Sequence, residues 1–311
     1  MTKHLLSIAD LNKGEIYQLA EMAMAFKKNR QQTDHLRGKT LGMVFQKPST
    51  RTAVSFAVAM YELGGLPLML NAQDLQIKRG ESLPDTARTL SRYLAGIMIR
   101  ANKHEEVAEL ARHATIPIIS GLTELEHPCQ VLGDLLTMME IFKVRRQEDL
   151  NNFQVTYIGD GNNVAHSWML AAALMGFVLV VCSPEGYLPE KQIKQKADAL
   201  LALSGGRIVY EKDPETAVRD ASVVYTDVWA SMGKDEERDQ RKKIFTPYQI
   251  NKKLMSHAPK NAVVMHCLPA HRGEEITDEV IDGPQSVVFD QAENRLHIQK
   301  AVLVHFLQQP K

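Results

Sequence analysis

The stretch Gln154–Ser183, QVTYIGDGNNVAHSWMLAAALMGFVLVVCS, decides the class of fold. It opens with one apolar run, Gln154–Gly159, and closes with a second, Phe177–Ser183. Its uninterrupted apolar part, Trp168–Cys182, has fifteen residues and contains one glycine. Since a helix that spans a membrane needs about 20 apolar residues, we interpret this part as a buried helix followed by a buried strand. The stretch therefore predicts a strand, a helix and a strand in succession.

Short apolar runs alternate with longer amphipathic stretches along the rest of the chain. The predicted strands are Thr40–Phe45, Pro67–Asn71, Gly96–Arg100, Ile116–Ser120, Gln154–Gly159, Phe177–Ser183, Arg207–Tyr210, Val223–Thr226, Ala262–Cys267 and Ser286–Asp290. The predicted helices include Thr50–Leu63, Leu83–Tyr93, His104–His113, Val131–Ile141 and Pro189–Leu203. Strands that alternate with helices are typical of βαβ units and parallel sheets. We therefore expect an α/β protein with two doubly wound parallel-sheet domains, in which ligands bind beyond the carboxyl ends of the strands.

The chain has 311 residues, and at about 150 residues per domain this length predicts two domains. The charged segment Lys143–Asn152 separates two alternating blocks of similar size and is the predicted junction. We expect the first domain at residues 1–145 and the second at residues 146–290. Residues 291–311 contain an amphipathic helix, Ala292–Gln308, which we expect to return to the first domain.

The composition excludes several classes of protein. Lysine plus arginine number 37 and aspartate plus glutamate also number 37, so neither a generally basic nucleic-acid-binding protein nor an acidic tail is indicated. The three cysteines, Cys129, Cys182 and Cys267, are odd in number and too far apart for a disulfide framework. The N-terminus lacks the apolar segment of a signal peptide, so we expect a cytoplasmic protein without membrane association. No CxxC, HExxH or clustered His/Cys pattern occurs, and we expect neither a metal nor a cofactor.

The first candidate site is Phe45–Thr52, FQKPSTRT, which follows a predicted strand and opens a predicted helix. Hydroxyl groups, the amides of a first helical turn and the guanidinium of Arg51 together suit a phosphate. The alternative is a Ser/Thr helix cap beside an arginine that faces solvent. The pattern GxxxxGK[ST] is absent, so a nucleoside triphosphate is not indicated.

Two further candidates follow predicted strands. Arg100 closes the run Gly96–Arg100 and is either a ligand contact or a surface anchor. The segment His127–Gln130, HPCQ, is predicted to be a loop before an apolar helix. Its imidazole and amide could grip an amide group of a ligand, whereas a lone histidine is more often structural.

The motif Gly159–Asn163, GDGNN, partly resembles a dinucleotide-binding fingerprint. Val164 stands where that fingerprint has its third glycine, although the acidic Glu185 follows the next predicted strand. The motif therefore gives only weak support to an NAD-binding protein.

The last two candidates also lie at strand ends. Asp227 opens DVWASMG and could hold an amine, or it could simply cap the loop. Cys267 lies between His266 and His271, an arrangement that admits a thiol nucleophile. Because buried cysteines are common and inert, that interpretation needs independent support.

Six motifs occur in one order along the chain: KPSTRT, HPCQ, GDGNN, DVWASMG, HCLPAHRGEEIT and FDQAENRLH. With this set, essentially the whole chain resembles the aspartate/ornithine carbamoyltransferase family. The SMG loop that follows Asp227 is similar to the ornithine-type signature rather than the aspartate-type one.

The resemblance implies that the first domain binds carbamoyl phosphate and the second binds L-ornithine. The implied reaction moves the carbamoyl group to the ornithine side-chain amine and gives L-citrulline and phosphate, a step of arginine metabolism. The implied contacts to carbamoyl phosphate come from Ser49, Thr50, Arg51, Thr52, Gln76, Arg100, His127, Gln130, Cys267, Leu268 and Arg295. The implied catalytic residues are Arg100, His127 and Cys267. The family also implies a homotrimer, or a multiple of it, with active sites at subunit interfaces and Gln76 reaching the neighbouring subunit.

The implied ornithine contacts are Asn163, Asp227, Ser231 and Met232. We expect the charged stretch Ser231–Arg241 to close as a lid over ornithine. One departure from the family is visible, because its usual S-T-R-T-R ends here in Ala53. Since Arg51 is intact, phosphate binding is expected to survive, while the supporting contacts of that helix are expected to differ.

Three alternatives remain open on the sequence alone. Putrescine or N-acetylornithine could be the acceptor, although the SMG loop favours plain ornithine. An NAD-dependent dehydrogenase rests on the GDGNN motif alone. A non-catalytic binding module is disfavoured because the implied catalytic positions are complete. For carbamoyl transfer no protein nucleophile is needed, since phosphate is a good leaving group, and Cys267 is then expected to orient the amine.

Overall fold

The computed structural model describes residues 2–144, 146–230 and 238–308. The chain divides into two compact units. Unit 1 comprises Met1–Met139 and Glu293–Lys311, and unit 2 comprises Glu140–Ala292. The predicted junction, Lys143–Asn152, follows the first of these two divisions by a few residues.

Unit 1 is built on a four-stranded parallel sheet with the strand order β2-β1-β3-β4. Its strands are β1 (Thr40–Phe45), β2 (Leu66–Asn71), β3 (Gly96–Arg100) and β4 (Ile118–Leu122). Its helices are α1 (Lys13–Lys28), α2 (Thr50–Glu62), α3 (Leu83–Tyr93), α4 (His104–His113), most of α5 (Pro128–Ile141) and the larger part of the C-terminal helix α12 (Val288–Leu307). Serine caps start α2 and α3, where Ser49 and Ser82 accept the amides of Thr52 and Asp85.

Unit 2 is built on a five-stranded parallel sheet with the strand order β7-β6-β5-β8-β9. Its strands are β5 (Gln154–Ile158), β6 (Val178–Cys182), β7 (Arg207–Glu211), β8 (Val223–Thr226) and β9 (Val263–His266). Its helices are α6 (Asn163–Met175), α7 (Lys191–Ser204), α8 (Pro214–Ala217), α9 (Arg238–Phe245), α10 (Lys252–Met255) and α11 (Asp278–Ile281). The ring of Trp168 packs edge-on against Tyr225, with ring centroids 5.5 Å apart, and anchors α6 on the sheet.

The predicted fold class is confirmed, because both sheets are parallel and the strands alternate with helices. The run Trp168–Cys182 is a buried helix followed by a buried strand, as expected. The C-terminal helix returns to the first unit, where Lys39 donates a hydrogen bond to the carbonyl of Leu307. In the described part of the chain, no helix is both long and apolar enough to cross a membrane.

Two local predictions are wrong. The predicted strand Ser286–Asp290 does not form, because Ser286 makes only an isolated bridge to Val264 and α12 already begins at Val288. The apolar run Val287–Phe289 resembles a strand, but its last two residues form the start of α12. The predicted loop His127–Gln130 is also corrected, since Pro128 opens α5. Proline is well tolerated in the first helical turn, where its missing amide hydrogen would have no partner.

Candidate active site

The candidate site of unit 1 lies at the carboxyl ends of two neighbouring strands. β1 and β3 are paired so that Phe45 lies opposite Arg100, and both strands end there. The chain leaves β1 toward one edge of the sheet, through α2 to β2, and leaves β3 toward the other edge, through α4 to β4. Such a switch point opens a crevice in which parallel α/β sheets bind ligands.

The start of α2 supplies the first part of this site. Ser49 is the helix cap, and its hydroxyl accepts the amide of Thr52 at 3.3 Å. Thr50 is exposed, Arg51 is half-buried and Thr52 is buried. Ala53, the departure from the family pattern, is half-buried and donates its amide to the carbonyl of Ser49. The positive end of the helix dipole therefore faces the switch point.

A buried network joins α2, α5 and α12. Arg295 donates to the hydroxyl of Thr52 at 3.3 Å and, with its other terminal nitrogen, to the side-chain carbonyl of Gln130. Gln130 in turn donates to Asp134 at 2.8 Å. Arg295, Thr52 and Gln130 are each at most 2% exposed. Side chains that are far apart in sequence are thus fixed in one cluster.

His127 lies in the same cluster and is electrostatically surrounded by cations. Burial lowers the pKa of His127 well below its ordinary value of 6.5, and the guanidinium groups of Arg295, Arg100 and Arg51 lower it further. The imidazole is therefore neutral at neutral pH, and a neutral ring can donate one N–H to a ligand. Three guanidinium groups beside a neutral donor form a site suited to a compact anion with an adjacent carbonyl.

Gln76 is placed apart from this cluster. It begins a short 3-10 turn, Gln76–Arg79, and is exposed to solvent. A cavity of about 320 Å³ lies beneath that turn and is lined by its neighbours Leu75 and Ile77. The phosphate candidates of α2 do not line this cavity, so it belongs to the loop and not to the arginine cluster.

The candidate site of unit 2 is organised around Asp227, directly after β8. One oxygen of Asp227 accepts the amide of Asn162 at 2.7 Å. The other accepts the thiol of Cys267 at 2.9 Å and the backbone amide of Val228 at 2.8 Å. Asp227 is only 8% exposed, and a buried carboxylate that accepts several hydrogen bonds is suited to hold an amine in a fixed place.

Asn162 is a residue of this site that the sequence prediction missed. Its side-chain oxygen caps α6 by accepting the amides of Val164 and Ala165, and it also accepts the hydroxyl of Tyr157 at 3.0 Å. The pKa of Tyr157 is raised well above 10 by burial and by the nearby Asp227 and Asp160 carboxylates, so the phenol keeps its proton. The predicted residue, Asn163, is the first residue of α6. An asparagine directly before an apolar helix was the signal for the cap.

The two glycines of GDGNN have structural roles. Gly159 has a φ of 139°, a backbone conformation that side chains disfavour, where the chain leaves β5. A Cβ on Gly161 would lie 2.3 Å from the backbone nitrogen of Pro189. Backbone conformation at Gly159 and close packing at Gly161 therefore account for both glycines without a dinucleotide.

The thiol of Cys267 donates its hydrogen bond to the carboxylate of Asp227. The ring of His266 is bound to the amide of Leu268 and to Glu275 instead. Burial raises the pKa of the other two thiols, Cys129 and Cys182, to about 12, which excludes them as nucleophiles.

The donor atoms of Asp227, His266 and Cys267 lie within 4.8 Å of one another, as do those of His271, Glu274 and Glu275. His266 and Cys267 could bind a cation only after giving up the hydrogen bonds just described.

Ser231 and Met232 lie outside the described residues, as does most of the predicted lid, Ser231–Arg241. The end of that stretch is anchored within unit 2. Arg241 is buried, pairs with Asp160 at 2.9 Å and donates to the carbonyl of Trp229 at 2.7 Å. The hydrogen bond between Arg241 and Trp229 thus joins the two sides of the undescribed part.

Fold and site together define a two-domain α/β protein with a cluster of arginines in one unit and a buried, hydrogen-bonded carboxylate in the other. Residues 3–140 match the carbamoyl-P binding domain of aspartate/ornithine carbamoyltransferase, and residues 151–306 match its Asp/Orn binding domain. The chain belongs to the aspartate/ornithine carbamoyltransferase family, which confirms the prediction from the six motifs.

Individual relatives are similar over nearly the full length. The anabolic ornithine carbamoyltransferase of Pyrococcus furiosus is 53% identical over 304 residues, 97% of this chain and 95% of the relative. A solved structure of ornithine carbamoyltransferase from Pyrococcus furiosus covers 99% of this chain and 98% of its own, with a TM-score of 0.94 and 51% identity. The ornithine transcarbamoylase of Giardia lamblia has a TM-score of 0.91 at 35% identity, with both chains covered completely.

Proposed function

We propose that this protein is an ornithine carbamoyltransferase, which transfers the carbamoyl group of carbamoyl phosphate to the side-chain amine of L-ornithine. The products are L-citrulline and phosphate, and the role that we propose is in arginine biosynthesis, as the name of the Pyrococcus furiosus relative suggests. One observation carries the proposal: at the switch point of unit 1, Arg295 binds Thr52 and Gln130 in a buried cluster, and the charges of Arg295, Arg100 and Arg51 all act on the buried His127. This cluster suits a phosphate joined to a carbonyl better than it suits either group alone.

The unit 1 cluster is proposed to bind carbamoyl phosphate and to stabilise its reaction. The amides at the start of α2, the hydroxyls of Ser49 and Thr50, and Arg51 would hold the phosphate. Arg100, His127 and Thr52 would donate to the carbonyl oxygen as negative charge develops there. Because the phosphate departs as a stabilised anion, the C–O bond can break once the C–N bond has formed, the proton that the amine loses can pass to the departing phosphate, and no covalent protein intermediate is needed.

Gln130 and Arg295 have supporting places in this scheme. Their direct hydrogen bond and the bond from Arg295 to Thr52 fix the three side chains against one another. We propose that Gln130 faces the carbamoyl amide and that Arg295 adds a contact to the phosphate. Preorganised donors of this kind lower the barrier because they need no rearrangement during the reaction.

The Asp227 cluster is proposed to bind ornithine, together with Asn163, Ser231 and Met232. The attacking amine must be neutral, so the site has to orient it without keeping it as a tightly paired ammonium. Cys267 satisfies part of the Asp227 carboxylate through its thiol. In this proposal Cys267 orients the amine, and the backbone of Leu268 meets the carbamoyl group.

The decisive test measures citrulline formed from carbamoyl phosphate with ornithine, beside putrescine, N-acetylornithine and aspartate as acceptors. We expect turnover with ornithine alone. Turnover with putrescine or N-acetylornithine instead would replace the proposed acceptor. A folded protein that is inactive with all four acceptors would overturn the proposal and reopen the binding-module alternative.

We also propose that the protein is a homotrimer or a multiple of it. Five large apolar side chains of α2 and of the neighbouring edge strand β2 are between 42% and 63% exposed within the single chain, namely Val54, Tyr61, Leu66, Leu68 and Met69. An exposed apolar edge strand is a liability unless something covers it. A second copy of the chain would cover it.

Mixed assemblies test this arrangement. We expect Gln76→Ala and Arg100→Met each to be nearly inactive alone, and a refolded equal mixture to recover about a quarter of the wild-type activity if each site takes one residue from each of two subunits. Absence of any recovery in assemblies that sediment as mixed trimers would contradict a shared site. Leu68→Lys is expected to dissociate the assembly in the same sedimentation experiment.

A cytoplasmic location is part of the proposal and rests on the cysteines. All three are free thiols in this structure, as is usual for proteins of a reducing compartment.

A further inference from the structure

His266 and Glu275 form a buried pair directly behind the Cys267–Leu268 backbone. His266 is the last residue of β9, and Glu275 lies in the loop that precedes α11. Both side chains have no exposed surface.

The hydrogen bonds fix the protonation of the ring. The backbone amide of Leu268 donates to Nδ1 of His266 at 2.8 Å, so this nitrogen carries a lone pair and no proton. The ring proton must then lie on Nε2, which faces Oε1 of Glu275 at 3.0 Å. A carboxylate behind a ring N–H selects one tautomer and orients the ring.

The same carboxylate holds the other end of the turn. Oε1 of Glu275 also accepts the backbone amide of His271 at 2.6 Å. The pair therefore binds two amides of the segment Cys267–His271, one directly through Glu275 and one through the ring of His266. The amide of His266 itself donates to Gln291 at 2.9 Å, which ties the end of β9 to α12.

The segment held in this way has an unfavourable backbone. Leu268 has a φ of 55°, in the left-handed region that residues other than glycine rarely adopt. Such a conformation persists only where the surrounding contacts enforce it, and it is often found at functional sites. The hydrogen bond that the Leu268 amide donates to Nδ1 of His266 helps to hold Leu268 in this conformation.

The buried pair also lowers the stability of the fold. The second oxygen of Glu275, Oε2, is buried and makes no hydrogen bond within the described parts of the chain. A buried carboxylate with one unsatisfied oxygen destabilises a fold, so packing alone does not explain it.

We propose that His266 and Glu275 are positioning residues for carbamoyl transfer: Glu275 fixes the tautomer of His266, and His266 holds the Leu268 amide so that the Cys267–Leu268 backbone meets the reacting groups. The inference deepens the proposed function and rests on it. His266 is thereby excluded as a base for Cys267, because both of its ring nitrogens are committed elsewhere.

Two substitutions of His266 test the hydrogen bonds of its two ring nitrogens separately. In His266→Asn, the amide oxygen can take the place of Nδ1 and accept from Leu268, but the side chain is too short to reach Glu275. In His266→Gln, the amide nitrogen can take the place of Nε2 and donate to Glu275, but the acceptor for Leu268 is lost. We expect kcat to fall about a hundredfold in His266→Gln and less than about tenfold in His266→Asn.

Glu275 is tested by the same logic. Glu275→Gln keeps an oxygen for the two donors and is expected to lose less than about tenfold in kcat, whereas Glu275→Leu is expected to resemble His266→Gln. In all four variants the KM for carbamoyl phosphate is expected to change less than kcat, because the arginine cluster of unit 1 is untouched. The matched control is the exposed pair His257 and Glu215, where His257→Gln and Glu215→Gln are expected to leave kcat unchanged.

A readout without catalysis keeps this inference separate from the proposed function. The rate at which iodoacetamide alkylates Cys267, measured below the melting temperature of each variant, is expected to change in His266→Gln and Glu275→Leu and to stay near wild type in the conservative variants. Equal kcat and equal alkylation rates in folded His266→Asn and His266→Gln would overturn the positioning role. Inactive wild-type protein would overturn the proposed function and leave the alkylation result to decide the geometry.

Discussion

The clusters of unit 1 and unit 2 occupy equivalent places in their sheets and have opposite electrostatics. In unit 1, the positive charges of Arg295, Arg100 and Arg51 act on the buried His127 and help to keep it neutral. In unit 2, the carboxylate of Asp227 is surrounded by neutral donors, the amide of Asn162 and the thiol of Cys267. In the proposed reaction, the departing anion would meet concentrated positive charge, and the attacking amine would meet a single acceptor whose charge is already partly satisfied.

The two clusters also differ in how they are assembled. Thr52, Gln130 and Arg295 come from three helices that are widely separated along the chain. In unit 2, Asn162, Asp227 and Cys267 each lie within four residues of the end of their own strand. Damage to the unit 1 cluster is therefore expected to affect both binding and fold, whereas the unit 2 cluster is local to three loops.

The largest effect is expected from Arg100→Met, which removes a guanidinium group from the unit 1 cluster and keeps the length of the side chain. We expect kcat/KM for carbamoyl phosphate to fall about a thousandfold, because a donor to the developing negative charge is lost. This fall in kcat/KM is measured from citrulline formation at saturating ornithine. The control is Arg88→Met, an exposed arginine. A loss below about tenfold would show that Arg100 is only a structural residue.

A smaller effect is expected from Asp227→Asn, which removes the charge at the centre of unit 2. We expect kcat/KM for ornithine to fall about a hundredfold, because the amine loses its charged acceptor. Binding of carbamoyl phosphate, measured by calorimetry without ornithine, is expected to stay unchanged. The control is the exposed Asp198→Asn. If Asp227→Asn weakened carbamoyl phosphate binding by a comparable factor, the two units would not differ in the ligand that they bind.

Cys267→Ala is expected to have a moderate effect. Removing the thiol frees one oxygen of Asp227 and is expected to raise the KM for ornithine about tenfold, while citrulline still forms. Cys182→Ala, at a buried thiol outside the site, serves as the control. Two results together would show that Cys267 acts as a covalent catalyst and does not merely orient the amine. They are complete loss of citrulline formation in Cys267→Ala and a carbamoyl adduct on Cys267 of the wild type, detected by mass spectrometry.

The smallest effect concerns stability and pH. The pKa of His127 is lower in the folded chain than its ordinary value of 6.5, so below that value the unfolded chain binds a proton that the folded chain excludes. The free energy of unfolding therefore falls as the pH drops through 6.5, down to the folded-state pKa. We expect His127→Gln to lose less stability than the wild type between about pH 7 and pH 5, as measured by urea unfolding.

The exposed His35→Gln is the control for that series. Parallel curves for wild type and His127→Gln would show that His127 can charge in the folded chain, and the electrostatic description of the unit 1 cluster would then be wrong.

Much of the fold could be predicted from local patterns, for physical reasons. Strands buried in parallel sheets are continuous apolar runs, and β1, β3 and β8 were predicted with the bounds that the structure has. The prediction failed at Ser286–Asp290, where a short apolar run overlaps the start of α12 and periodicity alone cannot distinguish a strand from a helix. It also failed at Pro128, where the proline opens a helix.

The sequence by itself determined the alternation of strands and helices, the family, and the residue types at each strand end, because these depend on local periodicity and on motifs of adjacent residues. Only the tertiary structure decided which of those residues meet. It brought Arg295 onto Thr52 and Gln130, turned the thiol of Cys267 toward Asp227, and placed Glu275 behind His266. Burial, charge and hydrogen bonds at those contacts set the tautomer of His266 and the neutral state of His127. Neither property can be deduced from the sequence, because the residues that determine it come together only when the chain folds.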